Sequence, residues 1–298
     1  MFDKQKIATY IATGIVTLLL YLVLWFIYYQ DLINAFVLVG VLLVVLTIQL
    51  ICLIIFRKDQ AKIEIMSIST IIVAILLFFE FLLLEYEGHT FTASFYADSI
   101  EVIDNSGIHL MVVRTEDIGY IEDREVIVKS LEQENDFISL HKINNKARYQ
   151  SKNAEILRLL RINKDHFTLM KRNVNRYLEG ETSSIEAFLN REDISGDSVG
   201  LGLALTVLIA QGELSNKLSF GVTGALSETG DVLRIGMIRE KVLIAEENGY
   251  PFMIIPIENA AEAREIKASR NLNIEIFDVN HIDQAVVLIK KLNEEHSK

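Results

Sequence analysis

Cysteine, proline and basic side chains are scarce in this chain, and each shortage excludes something. The single cysteine, Cys52, leaves no partner for an intramolecular disulfide and no cysteine-based metal site. Two prolines, Pro251 and Pro256, leave no proline-rich linker. Lys and Arg number 29 against 40 Asp and Glu, a net charge of -11. That balance lacks the basic footprint on which nucleic-acid binding depends, so no nucleic-acid partner is expected. No G-x-x-x-x-G-K-S/T run occurs in the 298 residues, so the chain carries no phosphate cradle of that kind and ATP is not an expected partner. His89, His109 and His141 are scattered through strand-like sequence without H-E-x-x-H spacing, so no metal ion and no other cofactor is expected.

What the chain has in abundance is apolar residues, 51% of the total, with a mean hydropathy of +0.30. The excess lies at the N-terminus. Residues 7–29 and 32–56 contain no charged side chain, and residues 65–84 contain only Glu80. Each run meets the roughly 20 apolar residues needed to cross a bilayer as a helix. The first is too long, and wrongly flanked, for a cleaved signal peptide. The sequence therefore predicts three transmembrane helices in a multi-pass protein of the cell membrane, with the lipid bilayer as a partner. Glu80 sits near the end of the third, where its carboxylate is expected to snorkel to the interface. Lys4 and Lys6 precede the first helix, and Arg57, Lys58 and Lys62 lie between the second and third, whereas the first turn holds only Gln30 and Asp31. The positive-inside rule puts the N-terminus and second turn in the cytoplasm, and everything after residue 85 outside it.

Three regions follow: 1–85, the membrane region; 86–160, a β-rich module; and 161–298, an α/β (α+β) domain. In the second, short alternating runs such as SIEVID, IHLMVV, EVIVKS and FISLHK predict antiparallel strands, and residues 150–179 read as helical. This module resembles the bacterial PH-like domains that follow membrane helices, and it reads equally as the strand-rich front of the last domain. The last third alternates: SIEAFL as a strand, 198–211 a buried helix, strands at 218–223 and 232–235, a helix at 237–248, the strand FMIIP, a helix at 259–269, the strand IEIFDV and a helix at 281–293.

One residue in that domain breaks its pattern. At 100° per residue, Met237, Ile238, Ile244 and Ala245 share a face of their helix, while Arg239, Glu240, Glu246 and Glu247 take the other. Lys241 falls on the apolar face. It either snorkels to solvent or is buried, and burial would lower its pKa toward that of a general base. Ser198 stands between Gly196 and Gly200 just ahead of an almost wholly apolar helix, where free N–H groups and the helix dipole favour developing negative charge. A serine hydroxyl needs a base, and Lys241 is the out-of-place titratable group in the same domain.

These residues resemble the Lon-type serine peptidases, which use a Ser–Lys dyad, over roughly 188–290. Gly196-Asp197-Ser198-Val199-Gly200 is similar to the family's nucleophile motif, Thr223-Gly224 to its Thr-Gly, Gly230 to Gly236 to its Gly-x-Val-x-x-Ile-Gly hairpin, and Gly236 to Lys241 to its lysine-bearing helix start. Ile255-Pro256 and Glu258-Asn259 match as well, and Ser198 and Lys241 stand 43 positions apart, as in the family. Val199 replaces the usual Ala, and Met237 the second Gly of Gly-Gly. Joined to the three transmembrane helices and the small β-rich module read above, the resemblance gives a membrane anchor followed by a Lon-type proteolytic domain without the AAA+ motor. It implies a membrane-anchored, ATP-independent serine endopeptidase acting on polypeptides, with Ser198 and Lys241 catalytic and Thr223, Asp197, Gly196 and Val199 supporting. It also implies the homo-oligomers common in the family. The arrangement resembles extracytoplasmic proteases that pair this domain with a PDZ domain, although no PDZ carboxylate-binding loop is evident. Two alternatives stand beside it. One is a Lon-like domain without turnover, kept as a peptide-binding or assembly module. The other is an α/β-hydrolase esterase built on the same Gly-x-Ser-x-Gly with Asp278 and His281.

Overall fold

The structure, a computed structural model, describes residues 4–119, 123–134, 136–160, 162 and 165–296. Residue 161, where the third region is read to begin, lies outside them, as does the side chain of Lys4. The chain divides into two compact units. One comprises residues 1–92, 117–127 and 141–162, and the other residues 93–116, 128–140 and 163–298.

The first unit opens with the three apolar runs as helices, α1 (Lys4–Tyr29), α2 (Ala35–Ile55) and α3 (Gln60–Phe81), followed by a short α4 (Leu83–Glu87). All three runs are long and apolar enough to cross a membrane. Asn34 caps α2 by accepting from the Val37 N–H at 2.9 Å, and Asp59 caps α3 by accepting from the Lys62 N–H at 3.3 Å. Tyr28, Ala35, Leu38 and Leu83 form a small buried cluster, whereas most apolar side chains of α1 and α2 face outward. In water that surface would be costly, and in hydrocarbon it is the ordinary exterior of a spanning helix.

Glu80 does not snorkel. It is buried, accepting from Lys152 Nζ at 2.8 Å, Tyr21 Oη at 2.7 Å and Tyr149 Oη at 3.3 Å. The partners were invisible in the local sequence because two of them arrive about 70 residues later.

After α4 come β1 (His89–Tyr96), β2 (Ile100–Glu101), β3 (Ile108–Leu110), β4 (Val113–Gly119), α5 (Arg124–Leu131), β5 (Phe137–Lys142) and α6 (Asn145–Leu159). The run EVIVKS, expected as a strand, lies in α5. Only Ile127 of that helix is buried, so one apolar contact fixes it in place of a sheet face. Strands β4, β1 and β5 form a three-stranded sheet in that order.

The second unit continues with α7 (His166–Tyr177), a 3-10 turn at Ser183–Ile185, α8 (Glu186–Leu189), α9 (Gly200–Ala210), β6 (Phe220–Val222), β7 (Ala225–Leu226), β8 (Val232–Leu233), α10 (Ile238–Glu247), β9 (Phe252–Pro256), α11 (Ala260–Arg270), β10 (Glu275–Val279) and α12 (Ile282–His296). SIEAFL, expected as a strand, is the 3-10 turn running into α8. Its buried Ile185 and Phe188 stand three apart, a helical spacing that a short run disguises.

A five-stranded sheet in the order β10-β9-β6-β3-β2 organises this unit. β10, β9, β6 and β3 run parallel, and β2 is antiparallel to β3. Strand β9 is buried throughout and alternates between two cores. Phe252 and Ile254 join the core with α7, α9 and α12, and Met253 and Ile255 the core with α10 and α11. The sheet is therefore covered on both faces, with α9 and α10 on opposite sides. Gly202 lets α9 lie against the sheet, since a Cβ there would come within 2.2 Å of Leu110 Cδ2.

Candidate active site

The two glycines around Ser198 have different jobs. Gly196 has φ +90 with open space around it, so its requirement is conformational. Gly200 opens α9 where a Cβ would press on Leu226 and Met170 at 3.2–3.3 Å, so its requirement is steric. Between them Ser198 is half-buried. Its carbonyl accepts from the Gly224 N–H at 2.7 Å and from Thr223 Oγ1 at 3.1 Å, tying the serine turn to the end of β6. The Ser198 N–H has no acceptor among the described residues. Val199 is buried in the α9 core, so its departure from alanine fills an apolar space.

Lys241 comes from the other side of the sheet edge, in the first turn of α10. The loop before α10 is clamped by Asn259, whose buried amide accepts from the Ile235 N–H and donates to the Ile235 carbonyl, both at 3.0 Å. Glu258 accepts from the Arg234 N–H at 3.1 Å. Met237 then takes φ 57, a left-handed conformation that explains the glycine found there in the family pattern.

The lysine is 4% exposed. Its Nζ lies 2.6 Å from Ser198 Oγ and 3.0 Å from Thr223 Oγ1. Thr223 has one hydroxyl proton, which goes to the Ser198 carbonyl, so toward Lys241 it accepts. Burial pulls the Lys241 ammonium down to about 8, opposed by the nearby charge of Asp197. Asp197 itself lies 3.5 Å from the exposed His166. Ser198, Thr223, Asp197 and Lys241 are thus together, with Gly196 and Val199 shaping the turn.

Two features escaped the sequence reading. Glu240 was placed on the polar face of its helix, yet it is buried and accepts from Ser139 Oγ at 2.7 Å. A strand from well upstream covers that face, which helical periodicity cannot register. The clamp by Asn259 could be sensed only through the Glu258-Asn259 match. The esterase residues are engaged elsewhere. His281 Nδ1 accepts from the Asp283 N–H at the start of α12 and its Nε2 meets the Thr229 carbonyl, while Asp278 pairs with Arg264. Among the described residues, no cluster of His, Cys, Asp and Glu is arranged to hold a metal ion.

Residues 193–292 match the family described as the Lon protease (S16) C-terminal proteolytic domain. The Lon protease of Rickettsia typhi is 32% identical over 91 residues, covering 30% of this chain and 12% of that protein. The archaeal Lon protease of Methanocaldococcus jannaschii is 34% identical over 100 residues, 34% of this chain and 15% of that protein. The Lon protease of Dictyoglomus thermophilum is 34% identical over 93 residues, 31% of this chain and 12% of that protein. The chain thus matches only 12–15% of the length of these relatives.

Proposed function

We propose that this protein is a membrane-anchored serine endopeptidase that cleaves polypeptides with a Ser198–Lys241 dyad and without ATP. The observation that carries the reading is a buried lysine amine at 2.6 Å from the oxygen of a half-buried serine. The match of residues 193–292 to a proteolytic domain supports the same chemistry.

The neutral Lys241 amine accepts the Ser198 proton as Oγ adds to the substrate carbonyl carbon. Negative charge then collects on the carbonyl oxygen, near the start of α9. The free Ser198 N–H and the positive end of the α9 dipole stabilise it there. Lys241 returns the proton to the departing amine nitrogen as the C–N bond breaks, leaving an acyl ester on Oγ. A water then gives a proton to the neutral Lys241 amine and adds to the ester carbon, and as the bond from that carbon to Ser198 Oγ breaks, releasing the carboxylic acid product, Lys241 passes the proton to Oγ. Thr223 holds the Lys241 amine on the serine, and no histidine takes part.

The test is cleavage of an unfolded polypeptide by the full chain in detergent or vesicles. Wild type should cleave, and Ser198→Ala and Lys241→Met should not, while both variants stay folded. A wild-type chain that binds the polypeptide without cutting it would replace this reading with the peptide-binding module. Loss of cleavage in His281→Ala with retention in Lys241→Met would restore the esterase-type triad.

A further inference from the structure

Helix α6 begins well anchored. The Asn145 side chain donates to the Tyr28 and Ile33 carbonyls at 2.8 and 2.7 Å, and its N–H donates to Asp31 at 2.7 Å. One face of α6 is thereby fixed to the turn between α1 and α2. Two turns later Lys152 meets Glu80 in a buried pair of 2.8 Å. Beyond that point Ile156, Leu159 and Leu160 line an apolar groove of about 580 Å³ with Ala74, Phe78 and Leu82 of the α3 side. The end of α6 therefore faces α3 across the groove, at the level of Ala74 to Leu82. Ala74 precedes Phe81 by seven positions, about 10 Å at 1.5 Å per residue.

The end of α6 is not covered by the rest of its unit. Leu159, Leu160 and Ile162 are 66%, 57% and 69% exposed, beside Phe78 and Phe81 at 74% and 61%. These side chains continue the outward apolar belt of α3, which includes Ile71 and Ile75. Arg158 and Glu155 pair on the other face of α6. A helix with one apolar and one charged face, reaching about 10 Å below the end of a span, has the form of an interfacial membrane helix, which buries its apolar face about 5–10 Å into the headgroup and acyl boundary.

We propose that the C-terminal half of α6 lies in the leaflet on the side of the α1–α2 turn, and that the groove between it and α3 holds an acyl chain of a membrane phospholipid. The buried Glu80–Lys152 pair pins the helix at that depth, because a charge buried there is tolerated only when paired. The groove is the size of an ordinary ligand cavity and lacks the convergent polar groups that a soluble ligand would use. The proposal rests on α1, α2 and α3 crossing the bilayer, and it does not depend on the peptidase reading.

The full chain is reconstituted in phosphatidylglycerol and phosphatidylethanolamine vesicles containing a phospholipid with a photoactivatable diazirine in one acyl chain. Adducts are mapped by peptide mass spectrometry. Adducts are expected on 156–160 as well as on α2, and Leu159→Gln with Leu160→Gln should lower the yield on 74–82 severalfold. As a second measurement, Leu160→Trp in a Trp25→Phe background should be quenched more by lipid brominated near the headgroup than near the terminal methyl. Adducts on α2 with none on 156–160 and no quenching at position 160 would overturn the proposal. Absence of adducts on α2 would instead remove the membrane reading on which the proposal depends.

Discussion

Lys241 is costly to bury, and the proposed chemistry of the site rests on that cost. Its ammonium would ordinarily hold its proton to about 10.4, and burial brings it to about 8. The proposed dyad needs the neutral amine, so peptide cleavage should rise with pH through about 8 and level off above it. A pH–rate profile of kcat/KM checks this, and a profile flat from pH 6 to 9 would count against a lysine base. Lys241→Arg should abolish cleavage because guanidinium keeps its proton. The same burial makes a stability prediction. The folded group titrates below its unfolded value, so between about 8 and about 10.4 the unfolded chain binds the extra proton and stability increases with pH. Below pH 8 the buried charge costs about 3 kcal/mol. Lys241→Met removes that cost and forfeits two hydrogen bonds of about 1 kcal/mol each. The variant should therefore be more stable than wild type by about 1 kcal/mol at pH 7, with the gain gone at pH 10. Denaturant midpoints at the two pH values measure it.

At the scale of elements, the start of α10 stores strain in Met237. A non-glycine residue in the left-handed region costs about 1–2 kcal/mol, and glycine gives back about 0.5–1 kcal/mol through the unfolded chain. Met237→Gly should raise stability by about 1 kcal/mol, read as a higher denaturant midpoint. At the end of β6, Thr223→Val should lower kcat about 10-fold to 100-fold, since the amine loses the acceptor that aims it. Its pH profile should move to lower pH, because a lost hydrogen bond to the ammonium disfavours the charged form. Thr223→Ser should restore both, which a purely structural role for the methyl would not allow. These same elements show what the sequence made legible. Lys241 was found because a cation on an apolar helix face violates a local pattern, and Ser198 because two glycines flank it. Strand β9 and helix α9 were legible as continuous apolar runs of the right length, and helices α11 and α12 because their buried residues recur at helical spacing. Helices α5 and α8 were misread because each is short and shows a single buried position. Glu240 and Glu80 were misplaced because their partners, Ser139 and Lys152, come from distant segments. Periodicity reports which face of a helix is apolar, and it carries no record of which distant segment will cover the polar one.

Across the whole molecule, the arrangement of basic residues supports a proposed compartment for the peptidase. Lys6 at one end of α1, Arg57 and Lys58 between α2 and α3, and Lys62 in the first turn of α3 fall on one side of the spans, and the α1–α2 turn on the other side holds Asp31 and no Lys or Arg. Basic residues close to span ends resist translocation, so in the proposed topology the first side is the cytoplasmic one. Three spans then deliver the chain after α3 to the opposite side. The anchoring of Asn145 on Tyr28, Asp31 and Ile33 requires the same parity, because the start of α6 and the α1–α2 turn must share a side. A protease there would have no ATP to draw on, in keeping with a sequence that lacks a phosphate cradle, and added ATP should leave the cleavage rate unchanged. A reporter that fluoresces only in the cytoplasm, fused after residue 298, should be dark. Protease added to intact cells whose outer layers are permeabilised should degrade the region after residue 85 and spare the turn at 57–62. Moving the charge should move the topology: Arg57→Asn, Lys58→Asn and Lys62→Asn together with Gln30→Lys and Asp31→Lys should produce a mixed population with a measurable fluorescent fraction. A bright wild-type fusion would invert the orientation while leaving the number of spans intact, and the substrates would then be sought among cytoplasmic polypeptides.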